Sequence, residues 1–560
     1  MDLRVIEHHP QRVLEALRRG EFDALEIVGE ADERDFFERL FREKLLVRLA
    51  ATMPGKPKKE EVPRWFILAG QMSLKLHQEN SYLAFERVIR CGGLLNALPP
   101  DLASKHIDPQ TQALRLTCRG FNAKNDYART TPCDQDTLRK AAKRVPAHAW
   151  IDWYNTAVQA TFQHYGFFDP EGVFVGDGSY LFVPDNPRYE GSCVMWFDAH
   201  NRPVEYEKLS AAERKEARRK RCYKLVTLLH LRGTHPCYVY AAVALVSGRA
   251  HELPVFAELI ERFVGTVGRG VVKKLLLDRG FIDGERISHW KRDLGVDVII
   301  PIKKNMDLWA DAWALGQTEP WQRHPVCDPA PAPPPPQRPE HLARREARRQ
   351  RTLAERKAKS AAPTPPRVLT GVNVCPIEGF SSWSSATVPM HVALFRETYS
   401  DGSEKSWALL TTGVLGDGWA LRQDYARRTD IEERHRQLKC FCDLTDFRSR
   451  SLNAVAAQVV MILLSYTLRQ WQLWQMLQEH LADRTPEAMR FRLALRREYV
   501  VVYHQDAYTQ MPLVRFPSPL LARLPPPPAS PRRSLLPLHR TQRRPRLPLY
   551  GLRRSLLPTV

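Results

Sequence analysis

A chain of 560 residues, 43% of them hydrophobic, can bury at least one large core with satellites, and its formal net charge of +21 leaves far more base than acid. A cationic excess of that size implies a polyanionic partner; because it is spread along the chain rather than set beside one apolar anchor, it points to nucleic acid and away from any membrane role. The opening MDLRVIEHHP does not read as a secretory signal, so the expected compartment is the cytoplasm, and ten cysteines without a Cys-x-x-Cys pair suit neither a zinc finger nor a disulfide framework.

Residues 1–170 read as an α-helical N-terminal domain that is a candidate for nucleic-acid binding. Segments 35–51 (DFFERLFREKLLVRLAA) and 65–89 place apolar residues at helical spacing, without sustained β alternation. Near the end of this region, 131–145 (TPCDQDTLRKAAKRV) gathers Arg139, Lys140, Lys143 and Arg144 after an acidic start. That make-up could serve a recognition helix, but it is more simply what a helix dipole favours.

From 171 to 309 the pattern changes. Strands are expected at 173–183 (VFVGDGSYLFV), 223–231 (YKLVTLLHL) and 238–248 (YVYAAVALVSG), then a helix at 253–264, a strand at 271–281 (VVKKLLLDRGF), a helix at 284–294 and a strand at 296–304 (VDVIIPIKK). The order βββαβαβ describes an α/β fold, a mixed sheet covered by helices on both faces. A basic helical connection is expected at 209–221. Residues 310–415 form an insertion, partly disordered, Pro-rich and basic, with strand character returning in VPMHVALFRETY and SWALLTTG. Residues 416–481 carry helices, among them the apolar run 454–468 (AVAAQVVMILLSYTL), too short to span a bilayer comfortably and read as buried. Residues 482–560 read as a C-terminal extension; from Ala507 onward it has no Asp or Glu, is dense in Pro and Arg, and is expected to be a disordered basic tail.

Within 416–481, the segment 421–440 (LRQDYARRTDIEERHRQLKC) carries the chemistry. On one continuous helix, Tyr425, Arg428, Glu432 and Lys439 fall within an arc of roughly 60°, with Ile431 and Leu438 on an adjoining face able to dock on a core. An exposed, salt-bridged helix accounts for the charges but not for the tyrosine. Two aspartates can complete a site with Glu432. Asp177 interrupts an apolar strand, where a carboxylate among Val175, Leu181 and Phe182 is costly unless it meets a cation or metal. Asp278 ends LLLD before Arg279, Gly280 and Phe281, at the kind of strand end where α/β sheets place ligand sites. Three hard oxygen donors suit magnesium, and two ions about 4 Å apart are the arrangement for in-line phosphoryl transfer.

Asp177 in VGDGSYL, Asp278 in LLLDRGF and the series Tyr425-x2-Arg428-x3-Glu432-x6-Lys439 together resemble the DDE transposases of bacterial insertion sequences, specifically the insertion-sequence-four group with its Tyr-Arg-Glu-Lys signature, over residues 173–481. The resemblance implies an RNase H-like catalytic fold with an insertion before the Glu. It implies that Asp177, Asp278 and Glu432 are the catalytic carboxylates, holding Mg2+ or Mn2+, and that Tyr425, Arg428 and Lys439 contact transposon-end DNA near the cleaved phosphate. Relatives can pass through a hairpin intermediate assisted by a Trp of the insertion, where this chain offers Trp309, Trp313 and Trp383. The partners implied are double-stranded DNA, as ends and as target, and a second copy of the chain in a synaptic complex. The expected function is DNA cleavage and strand transfer; the alternatives are an inactive or repurposed DNA-binding copy, and a host nuclease of the same fold. The presence of all three carboxylates favours an active enzyme.

Overall fold

The computed structural model describes residues 2–5, 7–29, 33–55, 62–90, 94, 97–98, 104–107, 114–117, 133–233, 237–325, 367–479 and 498–512. The chain divides into two compact units, Met1–Lys273 with Thr429–Val560, and Lys274–Arg428.

The first unit begins with strands β1 (Asp2–Val5) and β2 (Glu7–His8), helix α1 (Pro10–Arg19) and strand β3 (Ala24–Gly29). Helix α1 starts on Pro10, where a missing N–H costs nothing, is capped by the His9 side chain accepting from the Arg12 amide, and stops where Gly20 takes φ +79°. Helices α2 (Glu33–Arg42), α3 (Leu45–Thr52), α4 (Arg64–Leu76) and α5 (Phe85–Arg90) follow, then strands β4 (Ser104–Ile107) and β5 (Leu114–Thr117). Strands β1, β5 and β4 pair in that order, so the region expected to be helical also holds short strands. Helix α6 (Gln135–Arg144) turns Leu138 and Ala142 inward and leaves Lys140, Lys143 and Arg144 exposed. Helices α7 (Ala147–Trp153) and α8 (Gln159–His164) complete the series.

Strand β6 (Val173–Val183) has the bounds its sequence pattern predicts. It pairs antiparallel with β9 (Arg218–Leu231), from Val173 opposite Leu231 to Val183 opposite Arg221. The other side of β9 takes β10 (Tyr238–Ser247) along its second half and β7 (Cys193–Phe197) along its first, with β8 (Pro203–Val204) beside β7. The hairpin of β7 and β8 was not legible in the sequence, and it shortens the predicted basic helix to α9 (Ala211–Glu216). From Arg218 onward the backbone is committed to β7, with Phe197 opposite Arg218. Helix α10 (Glu252–Val267) packs on β9 and β10.

The second unit contains β11 (Lys274–Leu276), helix α11 (Gly284–His289), β12 (Asp297–Pro301), helix α12 (Asp307–Leu315), strands β13 (Gln322–Pro325), β14 (Leu369–Phe380), β15 (Met390–Tyr399) and β16 (Glu404–Thr411), and helix α13 (Trp419–Ala426). Its strands run in the order β11-β12-β16-β15-β14-β13, with β11 and β12 parallel and the other pairs antiparallel. The predicted strand 271–281 is reduced to β11, because the chain turns into a 3-10 segment at Arg279–Phe281. The most Pro-rich and basic part of the insertion, 326–366, lies outside the described residues.

The single helix expected over 421–440 is two. Helix α13 ends at Ala426, a 3-10 turn occupies Arg427–Thr429 with Arg427 and Thr429 still in the right-handed helical region, and helix α14 (Asp430–Phe441) follows directly. The cause is local: Asp430, Glu432 and Glu433 in the first turn of α14 and Lys439 in its last match a helix dipole that begins at Asp430. A uniform 100° per residue therefore does not run from Tyr425 to Lys439. Helix α15 (Leu452–Gln478) is long and apolar enough to cross a membrane, yet 89% of its most apolar window is buried inside the protein. It is the core helix expected at 454–468, packed against α2, α4, α6, α7 and β10.

The chain's two ends meet. Strands β17 (Glu498–His504) and β18 (Ala507–Pro512) join β2 and β3 in the order β2-β18-β17-β3. Val500, Val502 and Ala507 bury with Val13, Leu17, Phe22 and Leu25, while Val501, Tyr503 and Tyr508 form a small cluster of their own. This corrects the expectation of a coreless tail from Ala507. Alternation too short to register in a Pro- and Arg-dense context suffices once β3 supplies a partner strand. The tail beyond Pro512 lies outside the described residues. Val502 is fully buried, so Val502→Ala should destabilise the first unit by roughly 1–3 kcal/mol. Urea titration of the full chain checks this, and an unchanged midpoint would mean that the closing sheet contributes nothing to stability.

Candidate active site

In the first unit the site is built where helix α14 lies along strand β6. Ile431 and Leu438 are fully buried and fix the inner face of the helix. Two polar contacts then set its register. The Nδ1 of His435 stands 3.5 Å from Asp177 Oδ2, and the Lys439 ammonium donates to Ser179 Oγ at 2.7 Å. Asp177 and Ser179 share one face of β6 because strand side chains alternate, and His435 and Lys439 are one helical turn apart. One turn of helix and two residues of strand have nearly the same rise, so both contacts can form at once. Burial lowers the pKa of Lys439, and the Asp177 carboxylate opposes that by favouring the ammonium form.

Glu432 and Glu433 differ in exposure. Glu433 is engaged bidentately by Arg436 at 2.6 and 2.7 Å and accepts from Gln437 at 3.1 Å. Glu432 is exposed in the first turn of α14, one turn before His435. Arg434 is buried, its guanidinium 3.8 Å from the centre of the Tyr238 ring. Asp177 is less enclosed than an apolar strand suggests. Its side chain keeps 21% of its exposure, and where the sequence called for a cation or metal, the groups beside it are Lys439 and the His435 ring. On the opposite face, Gly178 lies against the end of the Glu252 side chain, whose carboxylate carbon would stand 2.6 Å from a Cβ there.

In the second unit, Asp278 follows β11 and precedes the 3-10 turn, with extended φ −79° and ψ 157° and no capping bond from its side chain. Tyr425 on α13 is half-buried. Burial pushes its phenol up to about 12; Arg428, which also hydrogen-bonds to it, opposes the shift, Asp278 adds to it and Arg279 opposes it. Arg428, Asp278 and Arg279 therefore all act on the Tyr425 phenol. Helix α13 is anchored by Arg422 donating to the buried Glu397 at 2.9 Å. Of the insertion's tryptophans, Trp309 and Trp313 stack at 5.4 Å between ring centres.

The six predicted residues thus fall into two sets, Asp177, Glu432 and Lys439 in one unit and Asp278, Tyr425 and Arg428 in the other. The transposase DDE domain family model matches residues 189–468, half of the chain. The chain belongs to that family. No curated protein matches it. Asp278, Tyr425, Arg428, Glu432 and Lys439 lie within the stretch matched to the transposase domain, and Asp177 lies twelve residues before it. A transposase domain of this kind implies DNA as partner and polynucleotidyl transfer as chemistry, and such domains generally use divalent metals.

Among the described residues, no group of three or more His, Cys, Asp or Glu side chains is close enough to hold a metal ion. In kind, the residues fit one. Asp177 and Asp278 are partly exposed and Glu432 is exposed, and all three offer the hard oxygen atoms that magnesium takes. Sequence reasoning missed His435 and Thr227, whose side chains meet at 2.9 Å. The signal was present: His435 is a polar residue in the buried stripe Ile431–His435–Leu438, and Thr227 is the hydroxyl inside the apolar run LVTLLHL. Replacing Asp177 by Asn should lower the pKa of Lys439 further, since the charge that favours its ammonium is removed. NMR titration of 13C-methylated lysines reads this directly, and an unmoved Lys439 would mean that the two groups do not interact.

Proposed function

We propose that this transposase binds the ends of an insertion sequence of the insertion-sequence-four group and catalyses metal-dependent cleavage and strand transfer, acting in the cytoplasm as a dimer on DNA. The observation that supports it most is the docking of α14 on β6, which sets Lys439 beside Asp177 and leaves Glu432 exposed one turn from His435. Asp177, Asp278 and Glu432 would hold the divalent ions, Mg2+ or Mn2+. When bound, such ions polarise the scissile phosphate and sharpen the attacking oxygen. A water oxygen adds to phosphorus as the bond to the 3′-oxygen breaks, leaving a 5′-phosphate and a 3′-hydroxyl. That hydroxyl then attacks a target phosphate in the same in-line manner and the target's 3′-oxygen leaves, so in this second step one phosphodiester is made as one is broken.

Tyr425, Arg428 and Lys439 position the DNA. Neither cation can ligate a metal while charged, but both suit phosphate, Arg428 as a planar fork and Lys439 as a point charge. Tyr425 stays a neutral phenol well above neutral pH and can donate to a phosphate oxygen throughout the working range. The N-terminal region 1–170, with the exposed Lys140, Lys143 and Arg144 of α6, is the candidate reader of the element ends.

Incubating the protein with its own element ends and Mg2+, then mapping nicks, tests this. Asp177→Ala, Asp278→Ala and Glu432→Ala should each cut the cleavage rate on the order of a thousandfold while end binding persists, because the metal contributes several kcal/mol at the transition state. Glu433→Ala should nick at the parental rate, since the contacts it loses, to Arg436 and Gln437, lie within its own helix and are partly exposed. A dead Glu433 variant beside an active Glu432 variant would overturn the assignment. Arg428→Lys should slow the reaction about tenfold or more, as a bidentate fork becomes a single charge; full-rate nicking by that variant would remove Arg428 from the DNA site.

A further inference from the structure

We propose that His435 is a positioning residue of the active site, which together with Thr227 holds the Asp177 carboxylate in the orientation needed to receive a divalent ion. The inference rests on the reading of Asp177 as a metal ligand. Its ground is a three-residue chain inside the first unit: Thr227 Oγ1 lies 2.9 Å from His435 Nε2, and His435 Nδ1 lies 3.5 Å from Asp177 Oδ2. Thr227 and Asp177 are direct register partners on β9 and β6, so their side chains stand on the same face and the imidazole bridges neighbouring strands.

One tautomer serves the whole chain: with the ring proton on Nδ1, His435 faces the Asp177 carboxylate, which can only accept, at 3.5 Å. In that tautomer the neutral ring accepts at Nε2, and the Thr227 hydroxyl is placed at 2.9 Å to donate to it. Both groups are buried deeply enough for this order to persist: Thr227 is fully buried and His435 is 4% exposed. The ring also lies near-parallel to that of Tyr240, at 20° and 6.4 Å between centres.

A packing role alone does not account for the residue. Ile431 and Leu438, its neighbours on the same stripe of α14, are plain aliphatics and fully buried. An aliphatic at 435 would fill the space without desolvating a ring and a hydroxyl, but it would leave Thr227 and Asp177 without this partner. A carboxylate that must present a fixed oxygen to a hydrated ion gains from such a support, because groups that orient metal ligands contribute about 10–100-fold to metal affinity.

The test compares His435→Asn with His435→Gln in the full-length protein. The Asn amide nitrogen can stand where Nδ1 stands and reach Asp177, whereas the Gln amide reaches where Nε2 stands and keeps only Thr227. Mn2+ affinity is read by electron paramagnetic resonance of the free ion without DNA, alongside the Mg2+ concentration that half-saturates nicking and the melting temperature. His435→Gln should weaken Mn2+ binding about 10–100-fold and raise the Mg2+ requirement, and His435→Asn should recover most of that loss. Thr227→Val, which keeps shape and removes the hydroxyl, should fall on the weakened side, and it supplies the answer if a His435 variant does not fold. Equal Mn2+ affinity in all folded variants and the parent would overturn the proposal and leave His435 a packing residue. Asp177→Ala serves as the separate control. If that variant binds Mn2+ like the parent, the reading of Asp177 as a ligand fails, and the positioning role falls with it.

Discussion

The first unit depends most on the seating of helix α14 along strand β6. Burial of Ile431 and Leu438 supplies the attraction, but burial is non-directional and would tolerate a helix slid along or rolled about its axis. The pairs His435–Asp177 and Lys439–Ser179 remove that freedom, because polar contacts to β6 at both 177 and 179 require one register. Apolar surface thus brings the helix to the sheet, and a few polar groups decide where Glu432 stands.

The strands beneath this helix make the arrangement possible. Strand β9 pairs with β6 on one side and with β7 and β10 on the other, and its buried polar side chains Lys224, Thr227 and His230 all find partners. Thr227 meets His435, and His230 meets Asp169 at 3.2 Å. Asp169 also accepts from the Gly233 amide at 2.8 Å, which ties the end of β9 to the turn before β6. A buried polar residue in an apolar strand is costly unless paired. All three instances in β9 are paired, Lys224 with the Ala250 carbonyl at 2.7 Å, His230 with Asp169, and Thr227 at the site.

The second unit shows a different economy. Asp278 sits just past a three-residue strand, on backbone released from the ladder, and its electrostatic neighbours come from the distant segment 425–428. Helix α13 is held by a buried ion pair, Arg422 with Glu397, rather than by a wide apolar stripe; only Leu421 is buried on it. Tyr425 and Arg428 are therefore placed by the strands that carry Glu397 and Lys274 as much as by their own helix.

What the sequence determined by itself is what period and residue type encode locally. The alternation in VFVGDGSYLFV located β6 to the residue, the apolar run 454–468 located the core helix, and the spacing of Tyr425, Arg428, Glu432 and Lys439 with two strand-borne aspartates pointed to the family. The tertiary structure alone decided what depends on partners distant in the chain. It broke the 421–440 segment at Arg427–Thr429, where the acidic start of α14 outcompetes a continued helix. It turned residues 498–512 into strands, because β3, more than 460 residues earlier, offers an edge to pair with. It also gave His435 its place, since a histidine in an apolar stripe has no meaning until Thr227 and Asp177 stand on either side of its ring. Periodicity reports which face of an element is buried, and only the fold reports what that face meets.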